Sequence, residues 1–578
     1  MIGEIAILLF PFNSINIIFV LSALLNCITE EDVFIKSFFS MLKSEFGGYN
    51  SNSFSKDLLA GITVAAVALP LALAFGVSSG ATAAAGLVTA IIAGIVIGGL
   101  SGGSYQISGP TGAMSAILIA LVAKHGLQGV FIACFLSGII LIAAGILKFG
   151  NLISFIPMPV ITGFTSGIAV IIAVGQIDNI TGFKASGENA VEKIGSYFTT
   201  AQQFSVASFI IGIAVIAFMF LYPKKLSKYC PSSLAAIILV TAANAVFSFS
   251  VKPVGSIPQT VLLSERLNIT SINLTQLKDF LVPAVSIAAL GMIESLLCGA
   301  SAGRMKNEKL NAGTELFAQG LGNMLLPFFG GVPATAAIAR TSVAIKSGGK
   351  TRLTSIIHSV ILLLSMFVLA PVMSQIPLSA LAGVLMVTAW RMNEWEAIRN
   401  IFRMKFISAM LQFSITMLAT VIFDLTIAIL IGIILSVAIF IINVSDVQIS
   451  VADVDKEKLC GKRYCRHYDN TTVAYIVGPL YFGTASKLGE RLSSAAQKDI
   501  LILSLRGVPF ADLSGVQALE ELCKKLREEN TEVYFAGVQP KVMELFRRCG
   551  ILNEIGEDNF FWSADKALTY IADRQSAA

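Results

Sequence analysis

Two short segments place a proline directly ahead of apolar, helix-forming residues. One is Tyr105-Gln106-Ile107-Ser108-Gly109-Pro110-Thr111-Gly112-Ala113; the other is Gly330-Gly331-Val332-Pro333-Ala334-Thr335-Ala336. Each predicts a short extended stretch and then a helix opening at its proline, because proline lacks the N–H that a first helical position leaves unsatisfied. The helix from Pro110 is expected to end near Ala123, roughly 14 residues or ~21 Å, too short to cross a bilayer alone. Non-helical backbone at membrane depth survives only inside protein or beside a cavity. Matching broken spans in the two halves of a chain point to an inverted-repeat transporter and its binding site. Two facing helix N-termini present free N–H groups and positive dipole ends, so the expected chemistry is the holding of an anion. Gly/Pro kinks in ordinary helices would explain either segment alone but explain the pair less well.

Two charges inside apolar runs extend this reading. Arg340 lies seven residues after Pro333, two helical turns on, so it is expected on the face of Pro333 and Ala337 with its guanidinium leaning back toward the site. The bland reading is an arginine that snorkels to the interface or pairs structurally. Glu294 is the sole acid in the stretch 282–303, a candidate proton carrier or cation ligand for coupling. Its bland reading is a static pair with Arg340 or a lysine. Lys56, Asp57, Arg304 and Lys306 are expected to be interfacial anchors. Gly349-Lys350-Thr351 resembles the end of a phosphate-binding loop, but Ala344 replaces its first glycine and no soluble strand precedes it. Transport would therefore be driven by gradients rather than by an ATPase.

These residues need a membrane to position them. The chain has 578 residues, 55% hydrophobic and only 13% charged, against about 25% charged in soluble domains. That excludes a soluble enzyme, a disordered chain and a coiled coil. A net charge of +5 gives no case for nucleic-acid binding. The eight cysteines are scattered, and Cys460, Cys465 and His467 lack the fourth ligand and spacing of a zinc site. No metal or cofactor is expected.

From about Asp57 to Val447 the chain is a series of apolar runs. Spans are expected to start near Asp57, Ala81, Gln128, Pro159, Phe204, Pro231, Phe280, Lys309, Arg352, Ser374, Phe406 and Leu425, with short ones at Pro110 and Pro333, fourteen in all. Alternate loops carry most of the basic residues, among them Lys224, Lys225, Arg304, Lys306, Lys346, Lys350, Arg391 and Arg399, whereas the other loops hold few. By the positive-inside rule both termini are expected in the cytoplasm. Residues 1–56 form an N-terminal segment, and Met41 resembles a natural start, so residues 1–40 are expected to be a dispensable extension; an extra membrane-associated helix is the rival reading. The tail, 448–578, alternates strand patterns (Val473–Val477, Ile500–Leu505, Glu532–Ala536) with helical ones (Ala485–Gln497, Ser514–Glu528, Pro540–Arg548, Ala564–Ala572), which predicts a small α/β domain.

Leu69-Pro70-Leu71-Ala72-Leu73-Ala74-Phe75, Gln106 to Gly112, Pro333 to Thr341 and Gly348-Gly349-Lys350-Thr351 together resemble the signatures of the SulP (solute carrier 26) anion transporters, and the tail is similar to their STAS domain. The resemblance runs from about Asp57 to Ala572. It implies an α-helical polytopic membrane protein of fourteen spans, built as a seven-plus-seven inverted repeat shared with uracil permeases, plus a cytoplasmic STAS domain. It further implies a secondary active transporter in which a core domain (spans 1–4 and 8–11) carries the anion against a gate domain (spans 5–7 and 12–14) in an elevator-like cycle. Matched by motif, Phe75, Thr111, Gly112, Ala334, Thr335 and Arg340 would line the anion site between spans 3 and 10, with Glu294 beside it on span 8. Coupling to H+ or Na+, a homodimer in the bacterial cytoplasmic (inner) membrane, and a cytosolic protein partner at the STAS domain are also implied. Leu71 stands where many sulfate-transporting members have glutamine, and Pro70-Leu71-Ala72 resembles branches associated with bicarbonate or C4-dicarboxylates. Leu513 occupies the place of the phosphorylated serine of related soluble regulators, so no phosphoswitch is expected and Ser514 is expected to cap the following helix. A passive anion channel of the same fold and a membrane-anchored signalling scaffold are the competing functions.

Overall fold

The computed structural model describes residues 38–577 apart from 151–155, 186, 188–189, 200–202, 224, 227–229, 269–276, 424, 445–446, 455–469, 486–487, 489–491 and 493–497. Nearly all of the expected extension, the group Cys460, Cys465 and His467, and most of the helix expected over 485–497 lie outside the described residues. The chain divides into two compact units, Met1–Ile433 and Ile434–Ala578.

The first unit is helical: α1 (Ser51–Ser78), α2 (Ala83–Leu100), α3 (Gly112–Ile146), α4 (Met158–Thr181), α5 (Ala190–Thr199), α6 (Val206–Leu221), α7 (Ser232–Phe247), α8 (Leu277–Lys306), α9 (Ala312–Phe329), α10 (Ile338–Lys346), α11 (Leu353–Val368), α12 (Leu378–Met392), α13 (Trp395–Arg403) and α14 (Ile407–Ile422). The next helix, α15 (Leu425–Val444), crosses into the second unit. Among the described residues, six helices are long and apolar enough to cross a membrane, namely α1 to α4, α8 and α15; α6, α7, α11 and α14 are shorter apolar helices. Side-chain caps set several starts: Asn50 accepts from the Ser53 amide, Thr82 from Ala85 and Asn311 from Thr314.

Packing sorts the helices into two sets. One joins α1, α2 and α3 with α8, α9, α10 and α11; the other joins α4, α6 and α7 with α12 and α14. Small residues permit the tightest crossing, between α3 and α9. A Cβ on Gly138 would stand 2.6 Å from the Gly320 carbonyl, and one on Gly320 would stand 2.6 Å from the Gly138 carbonyl.

The two proline segments depart from expectation in an informative way. Pro110 precedes the helix, and Thr111 is its N-cap. Gly126 (φ 66°, ψ −174°) then breaks α3 just past Ala123, between the expected short helix and the span expected from Gln128. Pro333 opens no helix. The Ala334 amide and carbonyl are both bonded by the Asn323 side chain, at 2.8 and 2.9 Å, and Thr335–Ala336 form a strand, so α10 starts only at Ile338. With its backbone groups already satisfied in extended form, the segment gains nothing by coiling at the proline.

Asp57, expected as an interfacial anchor, is fully buried, and Arg352 nearby is buried as well. The Asp57 carboxylate accepts from the amides of Lys350 (2.5 Å) and Thr351 (3.1 Å) and from the hydroxyls of Thr351 (2.6 Å), Thr354 (3.0 Å) and Tyr49 (3.0 Å). The glycine-lysine-threonine turn thus cradles the protein's own carboxylate at the start of α11. Beside it Arg352 forms an ion pair with Glu45 at 2.8 Å.

The second unit carries a five-stranded sheet, β3 (Gln448–Asp453), β4 (Thr471–Val477), β5 (Ile500–Gly507), β6 (Glu532–Ala536) and β7 (Phe560–Phe561) in spatial order, following a two-stranded sheet, β1 (Ser108–Gly109) and β2 (Thr335–Ala336), in the first unit. β3 is antiparallel to β4 and the rest are parallel. Alternation along β5 sends Leu501, Leu503 and Leu505 to one core with α16 (Leu513–Glu528) and α17 (Pro540–Cys549), and Ile500 and Ile502 to another with α18 (Ala564–Ala577). Asp512 caps α16 by accepting from the Gly515 amide at 2.8 Å, so the cap expected of Ser514 belongs to the aspartate two residues earlier.

Candidate anion site at paired helix termini

The site is assembled by two strands of two residues each. β1 (Ser108–Gly109) pairs antiparallel with β2 (Thr335–Ala336), Ser108 opposite Ala336 and Gly109 opposite Thr335. The Ala337 amide adds a bond to the Ile107 carbonyl at 2.9 Å. Since α3 follows β1 and α10 follows β2, this pairing brings both helix N-termini to one place. Orphan first-turn amides are intrinsic to such ends, and no side chain caps α10.

Arg340 sits in the first turn of α10, not two turns along a helix from Pro333. It is 2% exposed and reaches across to the other segment, where Nη2 donates to the Pro110 carbonyl at 2.8 Å. Nη1 is buried without a hydrogen-bond partner. The guanidinium stands over Gly109, where a Cβ would lie 2.6 Å from Nη1, so any larger residue would displace it. An unpaired buried guanidinium N–H beside two helix termini is a set of donors lacking an acceptor, and an anion supplies one.

Glu294 on α8 accepts from Thr111 Oγ1 at 3.0 Å. Among the described residues no ion pair within 4.0 Å joins it to Arg340, so the two charges face each other without direct contact. Phe75 of α1 closes the α3 end: a Cβ on Gly112 would stand 3.1 Å from the phenyl ring and 2.4 Å from Ile172 of α4. Phe75, Thr111, Gly112, Glu294 and Arg340 therefore converge. Thr335 lies in the strand itself, its hydroxyl 3.1 Å from that of Ser295. Ala334 is fully buried, and its bonds to Asn323 make it part of the frame.

The sequence reading passed over the residues that brace this site. Ser295 also accepts from the Ala336 amide at 3.3 Å, Gln106 donates to the Ser295 carbonyl at 2.8 Å, and Thr341 accepts from the Ile107 amide at 3.0 Å. Gln319 reaches Ser108 Oγ at 3.1 Å, and Thr89 accepts from the Val332 amide at 2.8 Å. Their shared signal is a polar residue inside an apolar helix or a membrane-depth motif, where it must find a partner.

Comparison with known proteins places the chain among transporters. The sulfate permease family pattern matches residues 54–416, and the STAS domain pattern matches residues 464–567. The chain is 34% identical over 532 residues to a putative sulfate transporter of Bacillus subtilis, covering 89% of this chain and 97% of the relative. It is 27% identical to the bicarbonate transporter of a Picosynechococcus strain, over 89% and 94% of the two chains. The solved transmembrane domain of a cyanobacterial bicarbonate transporter superposes with a TM-score of 0.60 at 28% identity, over 67% of this chain and 98% of that one. The murine solute carrier 26 family member A9 anion transporter, solved in an inward-facing state, shares the fold at a TM-score of 0.80 and 18% identity, over 93% and 94%. None of these relatives is an enzyme, and this chain, a multi-pass membrane protein with a C-terminal STAS domain, belongs to the sulfate permease family of anion transporters.

Proposed function

We infer that the chain is a gradient-driven carrier of a small anion, of the sulfate, bicarbonate or C4-dicarboxylate class, held between the N-termini of α3 and α10. The observation that carries the reading is Arg340, buried at the junction of the two helix ends with Nη1 unpartnered. Phe75, Thr111, Gly112, Thr335 and Arg340 line or frame the site, and Ala334 holds the strand beneath it. The names of the bacterial relatives support sulfate and bicarbonate as first substrates to try.

Glu294 is the coupling residue in this reading. Its carboxylate is bonded to Thr111, the N-cap of α3, so its charge lies beside the anion's place. Uptake of a proton or Na+ there removes repulsion toward the anion, and the anion in turn favours uptake of the cation, which is reciprocal linkage. The two helix sets support an elevator-like cycle within a fourteen-span, seven-plus-seven repeat, with the set holding the site moving against α4, α6, α7, α12 and α14. A homodimer in the bacterial inner membrane with both termini cytoplasmic completes the proposal.

Uptake of labelled sulfate, bicarbonate and fumarate into liposomes, with imposed pH and sodium gradients, tests it. Saturable, gradient-dependent uptake of at least one anion is expected. Large unitary currents without saturation would make the protein a channel, and absence of any anion flux would favour the signalling scaffold.

A further inference from the structure

A cavity of about 710 Å³ lies along the first segment of α3, beginning about one turn past Gly112 and continuing away from the anion site to His125. It is lined by α3 from Ala116 to His125, by α4, α5, the start of α8 and the end of α14. The walls are apolar, with Leu121, Ile171, Val174, Val282 and Phe423 typical of them. The rim is cationic: Lys124, Lys193 and Lys278 stand there with a single acid, Asp279. His125 is held at the rim by edge contact with Phe280, centroids 5.1 Å apart.

This lining discriminates among ligands. A small hydrated anion would gain nothing from the greasy walls, and an uncharged hydrocarbon would gain nothing from three lysines. The volume falls in the range that encloses a drug-sized molecule. We propose that the cavity is a second binding site, for an amphipathic organic anion whose apolar body fills the space between α3, α4 and α14 while its anionic head meets Lys124 and Lys278. Such a ligand touches α3 and α8, which carry Thr111 and Glu294, and also α4 and α14 of the other helix set. Bridging the two sets, it holds them in one relative position and stops transport without occupying the anion site. This inhibitory consequence rests on the carrier reading, whereas the binding itself does not.

The test uses the full chain in phosphatidylcholine nanodiscs with 1-anilinonaphthalene-8-sulfonate, and its uncharged analogue N-phenyl-1-naphthylamine as control. Saturable fluorescence enhancement by the sulfonate is expected. The double variant Lys124→Gln/Lys278→Gln should weaken its affinity about tenfold, the scale of losing charge-assisted contacts, and leave the uncharged analogue unaffected. Val282→Trp should reduce binding by filling the mouth, an arm that does not depend on the lysines. Sulfonate affinity unchanged in both variants would overturn the site. In liposomes the sulfonate should lower maximal uptake with KM unchanged; a rise in KM alone would show competition at the anion site and overturn the bridging role. If no form of the protein transports any anion, the nanodisc titration still decides the cavity. Adding phosphatidylglycerol separates the sources of the same chemistry: loss of the lysine-dependent signal identifies a lipid as the occupant, and its persistence identifies a soluble amphiphile.

Discussion

Two helix starts in the same unit treat an anion in opposite ways. At α11 the protein supplies the anion itself: Asp57 fills the turn at Lys350 and Thr351 and accepts five hydrogen bonds. At α3 and α10 two termini and a buried arginine converge, and Nη1 of Arg340 remains without an acceptor. The first arrangement is a permanent lock, complete without any ligand. The second leaves a buried donor open, which is the place the proposed function gives to an exchangeable anion. Similar chemistry, amides and hydroxyls at the start of a helix, thus serves cohesion in one place and, in the proposed function, binding in the other, and the difference lies in whether the chain brings its own carboxylate.

The contrast can be broken from either side. Asp57→Ala strips the acceptor from several buried donors and should cost about 3–5 kcal/mol, read as a lowered melting temperature in detergent; an unchanged melting curve would end the lock interpretation. Arg340→Gln should lower kcat/KM for anion uptake by roughly 10- to 100-fold, the scale of one or two charge-assisted bonds, while the melting temperature stays near that of the parent chain. Should both variants lose fold and transport together, the two sites would not differ in kind. Glu294→Gln should leave anion exchange in place but remove its dependence on an imposed pH or sodium gradient. The smallest effect belongs to the other unit: Asp512→Ala removes the cap of α16 and should cost about 1 kcal/mol, seen in thermal unfolding with transport kinetics unaltered.

How much of this was legible in the sequence follows from the range of the interactions. Apolar runs are local, so the helices and the STAS strands β4, β5 and β6 lie close to their expected places. The convergence of Pro110 and Arg340 was readable because matching motifs announce it. The pairing of β1 with β2 was not, since each strand is two residues long and its partner lies in the other half of the chain. That pairing is why α10 starts at Ile338 and why Arg340 is a first-turn residue. The burial of Asp57 was hidden for a related reason: a charge at the edge of an apolar run suggests an anchor until its distant donors are known. β3 escaped notice because it is a largely exposed edge strand directly after the apolar α15.

Equilibrium binding of a labelled substrate anion to the purified chain measures the central claim most directly. The unpaired Arg340 donor at the joined helix ends predicts saturable binding that Arg340→Gln weakens at least tenfold and that Lys124→Gln, remote from the site, leaves intact. Equal affinity in the parent chain and in Arg340→Gln would contradict it.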